Sequence, residues 1–235
     1  MERECLLSTA VVRHGPPRVV SLSTPGAVAL GAERLRAGDV VSFPTDTVYA
    51  LAASLSSPAA VRRIYEIKHR SLQKPLPVLL SNVRHVDLIA APPDPLTLAL
   101  AERFWPGPLT MIVPAKADAL PEIVGPGHTV AVRIPDHAAA RAVIAAASGA
   151  LATTSANRSG RAPARSAAEV RSQLGDAVDL LLDGGEVGEG IASTLVRISG
   201  QRLEILRQGV LPASTIESAW IELRSGSTTA RSDST

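Results

Sequence analysis

Short apolar runs alternate along the chain with segments that carry helix-start signals, a pattern typical of an α/β domain. Thr24-Pro25, Ser57-Pro58 and Asp94-Pro95 each combine an N-cap residue with a first-turn proline, so each predicts the start of a helix. Ser166 and Ser214 are each followed three residues later by glutamate, which predicts two more helix starts. Strands are predicted at 40–43, 77–80, 109–113, 130–134, 150–153, 178–182, 194–198 and 203–206.

The helix predicted to begin at Ser57 runs into a strongly basic stretch. Lys68 continues the apolar stripe of this helix, so its amino group either reaches water or faces a cleft. Arg70 and Lys74 follow in a predicted loop, where they can converge with Lys68 on one anion. The alternative is a solvated basic helix face, which we favour for the two arginines at 62–63.

Polar side chains follow or precede several of the predicted strands. Hydroxyl, carboxylate and amide groups occur at 44–49 and at 153–157, while Ser193 and Arg207 lie at the ends of two later strands. Open α/β sheets bind ligands at the carboxyl ends of their strands. Together with the basic loop, these segments therefore predict a small-anion site, although a turn or a helix cap explains each of them equally well alone.

Composition sets limits on the class of protein. The chain has 235 residues, of which 46% are hydrophobic and 20% charged, enough apolar material for a folded core. Its net charge of +2 gives no reason to expect a nucleic-acid binder, and its single cysteine excludes an intramolecular disulfide. No run approaches the ~20 apolar residues of a membrane helix, so we expect a cytoplasmic protein without membrane contact. We also expect a flexible segment at 1–19, one domain at 20–224 and a disordered tail at 225–235.

Eight ordered blocks of the sequence resemble a known family. They are FPTDTVYAL (43–51), KHR with KPL (68–76), WPGPLT (105–110), VAVRIP (130–135), TSANRSG (154–160), DGG (183–185), ST (193–194) and RQG (207–209). In this order they resemble the YrdC-type family of threonylcarbamoyl-AMP synthases, from about residue 20 to 217. Ala50, where the family usually has glycine, and His69 depart from its pattern.

The resemblance implies a fold and a reaction. The fold is α/β, with a twisted, mixed parallel and antiparallel open sheet and flanking helices around a concave basic surface. The reaction joins L-threonine, bicarbonate and ATP into threonylcarbamoyl-AMP and pyrophosphate, with Mg²⁺ bound mainly through the phosphates. A separate transferase then uses the product to form N6-threonylcarbamoyladenosine at position 37 of tRNA.

The resemblance also implies roles for individual residues, none of them as a metal ligand. Lys68 and Arg70 are the catalytic cations. ATP is bound by Arg70, Lys74, Thr129, Ser155, Asn157 and Arg207. Threonine is bound by Thr47, Arg133, Thr153 and Ser193.

Two other functions remain open on the sequence. One is an RNA-binding or ribosome-associated module on the same basic surface. Only six aromatic residues are available for base stacking, so we expect its RNA binding to be weak. The other is a paralogous carbamoyl-transfer enzyme on the same fold that takes a different acceptor.

Overall fold

A computed structural model describes residues 18–232, with side chains described through residue 225. Within this part of the chain there are ten strands and six α-helices. The strands are β1 (Arg18–Ser21), β2 (Val41–Pro44), β3 (Tyr49–Ser54), β4 (Val78–Leu80), β5 (Leu109–Pro114), β6 (Thr129–Arg133), β7 (Ala150–Ser155), β8 (Leu180–Asp183), β9 (Thr194–Ser199) and β10 (Arg202–Arg207). The helices are α1 (Ala27–Arg36), α2 (Pro58–Lys68), α3 (Pro95–Phe104), α4 (Ala138–Ala147), α5 (Ala167–Leu174) and α6 (Ala213–Ser232).

The ten strands form one open sheet in the order β1-β8-β2-β3-β7-β4-β6-β5-β9-β10. Strand pairs β1/β8, β2/β8, β4/β6 and β5/β9 are parallel, and the other five are antiparallel. The mixed open sheet expected from the sequence is therefore confirmed. Helices α2 and α5 cover one face of its central strands, α1 and α4 the other, and α3 and α6 pack together beside β5 and β9.

Strand β3 is central to the sheet, although the sequence patterns did not predict it. Its segment YALAAS contains no β-branched residue, and such residues are the usual mark of a strand. All six residues are buried, because α2 covers one side and α1 with α4 the other. The polar segment before it is thus the turn of a β2–β3 hairpin, closed by a hydrogen bond from Thr45 N to Val48 O.

Helix α2 forms as the sequence predicts. The Ser57 hydroxyl accepts a hydrogen bond from Ala60 N at 3.4 Å, and Pro58 occupies the first turn. The helix ends where His69 adopts a left-handed conformation with φ of 51°. Its buried stripe includes Lys68, so the helix carries this lysine into the interior.

Both ends of the described region depart from the sequence expectations. Strand β1 begins at residue 18, inside the segment expected to be flexible, and pairs in parallel with β8. Residues 1–17 lie outside the described part of the chain. Helix α6 continues through Ser232 into the predicted tail, since each added helical residue gains one backbone hydrogen bond and no proline interrupts the stretch. Residues 233–235 are not described.

Candidate active site

An open cavity of about 320 Å³ lies on the sheet where the β2–β3 hairpin, β7, β5, β6 and the end of β10 meet. Seven of the residues that the sequence singled out line it: Thr47, Arg70, Arg133, Thr153, Ser155, Ser193 and Arg207. Four others lie outside this lining: Lys68, Lys74, Thr129 and Asn157. The structure thus brings together most of a set that is scattered over 160 residues of sequence.

Arg133 is held in the cavity wall by three different partners. Its Nε donates to Gly107 O at 2.9 Å and its Nη1 to Thr47 Oγ1 at 2.9 Å, while Nη2 donates to the Asp46 carboxylate. Burial lowers the pKa of Arg133 and the Asp46 charge opposes this shift, so the guanidinium stays protonated. Its orientation is therefore fixed, and its charge is balanced by Asp46.

Asp46 is a site residue that the sequence reasoning did not select. It lies in the polar segment 44–49, but no pattern in the sequence indicates that its carboxylate pairs with an arginine 87 positions later. The same motif also forms the turn of the β2–β3 hairpin, as its alternative interpretation as a turn predicted. Thr45 Oγ1 donates to Val48 O at 2.7 Å and accepts from two backbone N–H groups, including that of Thr47.

Another part of the cavity wall is built from Ser193, Arg207 and Thr110. Arg207 donates from Nε and Nη2 to Ser193 O at 3.2 and 2.9 Å. Ser193 Oγ lies 2.7 Å from Thr110 Oγ1, and both hydroxyls are buried. Burial lowers the pKa of Arg207, which nevertheless remains a cation. Thr110 was given no role, although it ends the block WPGPLT (105–110) and is a polar residue near the start of the apolar strand β5.

Lys68 points at the loop after β7. Its Nζ donates to Ser155 O at 2.5 Å, to Asn157 O at 2.6 Å and to Asn157 Oδ1 at 2.9 Å. These three acceptors use all three N–H bonds of an ammonium group. Burial and, to a smaller extent, the neighbouring charge of Arg70 together lower the pKa of Lys68 from 10.5 to about 7. Lys68 therefore neither reaches water nor faces the cleft, the two outcomes that the sequence predicted.

The other two basic residues after α2, Arg70 and Lys74, lie in different surroundings. Arg70 lines the cavity and donates to Lys74 O and Pro75 O, each at 3.1 Å. Lys74 is exposed and lies outside the cavity lining. Of the two arginines at 62–63, Arg62 is exposed as predicted, with a salt bridge to Glu122, whereas Arg63 is only partly exposed and pairs with the buried Asp179.

Thr129 and Asn157 make contacts beside the cavity. Thr129 begins β6 and donates from Oγ1 to Pro126 O at 3.0 Å. Asn157 donates from Nδ2 to Arg158 O and Arg161 O and accepts from the Ser155 hydroxyl at 2.6 Å. Asn157 thus organises the loop that follows Ser155, the last residue of β7, which lines the cavity.

Within the described residues, no three His, Cys, Asp or Glu side chains come together in a way that could hold a metal ion. The described cavity lining contains no carboxylate, and Asp46 beside it is engaged by Arg133. Over the same part of the chain, no helix is long and apolar enough to cross a membrane.

Comparison with known proteins identifies the family. The Sua5/YciO/YrdC family model, described as "Telomere recombination", matches residues 33–209. The chain is 37% identical over 191 residues to threonylcarbamoyl-AMP synthase of Bacillus subtilis, covering 81% of this chain and 55% of that protein. It is 36% identical over 172 residues to the protein of the same name from Chromohalobacter salexigens, covering 73% of this chain and 92% of the relative.

Solved structures agree with the family match. A crystal structure of P. abyssi Sua5 complexed with L-threonine superposes with a TM-score of 0.81 at 33% identity, over 86% of this chain and 60% of the other. E. coli YciO, at 21% identity and a TM-score of 0.75, shares the fold over 85% of this chain and 98% of its own. The chain spans a little over half the length of the Bacillus and P. abyssi synthases that it matches. Its sequence and its fold place this chain in the Sua5/YciO/YrdC family.

Proposed function

We propose that this chain is a threonylcarbamoyl-AMP synthase. The threonine amine attacks the carbon of bicarbonate, a C–O bond of bicarbonate breaks and water leaves. An oxygen of the resulting carbamate then attacks the α-phosphorus of ATP. The bond from that phosphorus to the bridging oxygen of the β-phosphate breaks, and pyrophosphate leaves. The observation that carries the proposal is a cavity whose walls combine three arginines, Arg70, Arg133 and Arg207, with hydroxyls from several strands. Family relatives named for this activity support it.

The electrostatics of the cavity suit the meeting of two anions. Arg133 is balanced by Asp46, whereas within the described residues Arg70 and Arg207 donate only to neutral oxygens. These two guanidinium groups keep their net charge available to a ligand. Cations that hold an anionic nucleophile and a polyphosphate in line can supply much of the acceleration without a covalent intermediate on the protein.

We assign threonine to the end of the cavity formed by Thr47, Arg133, Thr153 and Ser193. P. abyssi Sua5, which shares the fold at 33% identity, was crystallised with L-threonine, and this supports threonine as the ligand. Thr153 Oγ1 donates to Pro77 O at 3.2 Å, which leaves its lone pairs for a substrate donor. The Arg133 guanidinium retains N–H bonds beyond its three protein contacts for a carboxylate oxygen.

We assign ATP to the neighbouring part of the cavity. Arg70, Ser155 and Arg207 line it, and Asn157 supports Ser155. Thr129 lies on the same face of β6 as Ala131, a lining residue, and Lys74 precedes the lining residue Pro75. Both are within the reach of a triphosphate that extends out of the cavity. Lys68 completes the catalytic set by holding the Ser155–Asn157 segment in place.

We propose that Mg²⁺ enters with the phosphates of ATP, because the protein offers no carboxylate cluster in its described part and Mg²⁺ commonly keeps phosphate and water ligands. When bound, it would neutralise phosphate charge. We assign the activity to a cytoplasmic enzyme with a catalytic domain at 20–224. Its product would pass to a separate transferase for tRNA N6-threonylcarbamoyladenosine-37.

Pyrophosphate release tests the proposal. Release should require ATP, L-threonine and bicarbonate together, and omission of any one should abolish it. Release that continues without threonine would reject the proposal.

Two further experiments test the other functions. Replacing threonine with other amino acids or with carbamoyl phosphate tests the paralogous carbamoyl-transfer reaction. Tight RNA binding at physiological salt, without pyrophosphate release, would favour the RNA-binding module.

A further inference from the structure

Two buried hydroxyl groups meet in the cavity wall between β5 and the segment before β9. Thr110 Oγ1 and Ser193 Oγ are 2.7 Å apart, and the residues are only 4% and 6% exposed. Both line the cavity. The family resemblance gives Ser193 a role in threonine binding but gives none to Thr110.

Thr110 is the polar exception in its strand. Leu109 and Met111 point into the apolar cluster with α3 and α6, while Thr110 and Ile112 face the cavity. A buried hydroxyl is unfavourable unless it is hydrogen-bonded, and valine would fill nearly the same volume without this requirement. The hydroxyl therefore needs an explanation beyond packing.

Holding the strands together does not supply that explanation. Strands β5 and β9 are already paired in parallel, with Leu109 opposite Thr194. A backbone hydrogen bond of 2.9 Å from Thr194 N to Pro108 O closes the junction beside the two hydroxyls. Because backbone hydrogen bonds already hold β5 and β9 together, the contact between Thr110 and Ser193 adds little to the stability of this pairing.

A count of protons shows what the pair offers to a ligand. The two hydroxyls carry two protons, and their mutual hydrogen bond uses one of them, whichever group donates. The other proton remains for an acceptor in the cavity. Arg207 Nη2 lies 3.4 Å from Ser193 Oγ, so this O–H donor stands beside a cation. Such a wall suits a ligand oxygen that carries negative charge.

We propose that Thr110 is a positioning residue for the amino-acid substrate, which fixes the Ser193 hydroxyl so that the pair donates one hydrogen bond to a substrate oxygen. This inference rests on the proposed function, because it assumes that an amino acid occupies this end of the cavity. Without the Thr110 hydroxyl, Ser193 loses its fixed orientation. The consequence falls on threonine and leaves ATP unaffected.

The test compares Thr110→Val, which removes the hydroxyl at nearly constant volume, with Thr110→Ser, which keeps it. Thr97→Val is the matched control, since Thr97 is 5% exposed and its hydroxyl binds Asp94, away from the cavity lining. L-threonine is titrated calorimetrically into each protein, and KM values for threonine and ATP are measured by pyrophosphate release. Thr110→Val should weaken threonine binding about tenfold, as expected for one lost hydrogen bond. The KM for ATP should stay within about twofold of the wild-type value, an energy change well below one hydrogen bond.

Thr110→Ser and Thr97→Val should both bind threonine like the wild type. Wild-type affinity in Thr110→Val, an equal rise in both KM values, or a loss in Thr110→Ser as large as that in Thr110→Val would overturn the inference. Should Thr110→Val fail to fold, Thr110→Ala takes its place with the same expected outcomes. A wild-type protein that neither binds threonine nor releases pyrophosphate would instead refute the proposed function.

Discussion

The Lys68 amino group donates two hydrogen bonds to Asn157, one to its backbone oxygen and one to its side-chain Oδ1, at 2.6 and 2.9 Å. Lys68 ends α2, and Asn157 lies in the loop after β7. Ser155, which precedes that loop, accepts the third hydrogen bond. One buried lysine thus joins the two motifs that the sequence most strongly associates with the nucleotide.

Replacing Lys68 with methionine should therefore affect both stability and activity. The change keeps most of the apolar stem but removes one donor from each of three oxygens, of which Ser155 O and Asn157 Oδ1 each keep another. Loss of a buried charged donor should lower the free energy of unfolding by about 2 kcal/mol. It should also reduce turnover, because Ser155 and Asn157 lose their support. Urea unfolding and pyrophosphate release measure the two effects.

Lys116→Met is the matched control for that variant. Lys116 does not line the cavity, so its replacement should change stability by less than about 0.5 kcal/mol and leave turnover intact. If Lys68→Met were as stable and as active as Lys116→Met, Lys68 would not support the loop.

The pairing of Asp46 with Arg133 leads to a second prediction. Asp46→Asn removes the charge that balances a buried guanidinium, and it should lower the free energy of unfolding by about 2 kcal/mol. A double-mutant cycle with Arg133→Gln, followed by urea unfolding, should give a coupling energy of about 1–3 kcal/mol.

Glu204→Gln provides the comparison for this cycle. Glu204 pairs with Arg197 between β9 and β10, and both side chains are about half exposed. Removing that exposed pair should change stability by less than about 1 kcal/mol. Equal effects at Asp46 and Glu204 would show that the cavity pair is no stronger than a surface contact.

The sequence predicted the residues of the site better than their contacts. Helical periodicity correctly placed Lys68 on the buried face of α2, but periodicity within one helix does not show which element lies opposite. The acceptors at Ser155 and Asn157 come from a loop nearly 90 positions away. For the same reason, Asp46 and Thr110 could not be connected to Arg133 and Ser193 before the fold was known.

Gly209 gives a third prediction. A Cβ atom at this position would lie 2.2 Å from Ala192 O and 2.5 Å from Thr194 N, so Gly209→Ala must displace the backbone on either side of Ser193. Since small displacements of substrate-holding groups are costly to catalysis, we expect kcat/KM for threonine to fall about 100-fold.

Gly200→Ala is the control variant. It shows what replacing a glycine does when no backbone atom has to move. Gly200 has a φ of +58° but no atom within 4 Å of its Cβ position. Its replacement should cost about 1 kcal/mol of stability through backbone strain and leave turnover near the wild-type rate. Normal kcat/KM in Gly209→Ala would mean that the position of Ser193 is not critical.

Tyr49 gives a prediction about alkaline pH. Its hydroxyl donates to Gly185 O at 2.7 Å and accepts from Gly184 N at 3.2 Å. Burial raises the pKa of Tyr49 from 10.0 to about 12; the Gly184 hydrogen bond opposes this and the Asp183 charge adds to it. The unfolded chain therefore loses this proton first, and the stabilisation is complete below pH 10 and is lost as pH rises towards 12.

Urea unfolding of wild type and Tyr49→Phe at neutral and alkaline pH measures this contribution. The variant should be less stable by about 1 kcal/mol at neutral pH. Between pH 10 and 12 the wild type should lose about 1.4 kcal/mol of stability relative to the variant for each pH unit, so the difference should vanish and then change sign within this range. Parallel pH profiles of the two proteins would contradict the assignment.

There is also a physical reason why the sequence patterns did not predict strand β3. Tyr49 begins β3, whose alanines are buried on both faces and carry neither the alternation nor the β-branching that marks strands in sequence. The segments that the patterns did predict, such as α2 with its Ser57 cap and the apolar strand β5, have strong local signals. The segment of β3 forms a strand because it is buried between helices, and this burial depends on the rest of the fold.

The claim that the cavity joins a carboxylated threonine to the α-phosphate of ATP is tested most directly by isotope labelling. The chain is incubated with ¹³C-bicarbonate, L-threonine and Mg-ATP, quenched rapidly and analysed by mass spectrometry. We expect an adenylate of N-carboxythreonine that carries the bicarbonate carbon, formed in equal amount with pyrophosphate. AMP and pyrophosphate without a labelled adduct, or an adduct that forms without threonine, would contradict the account.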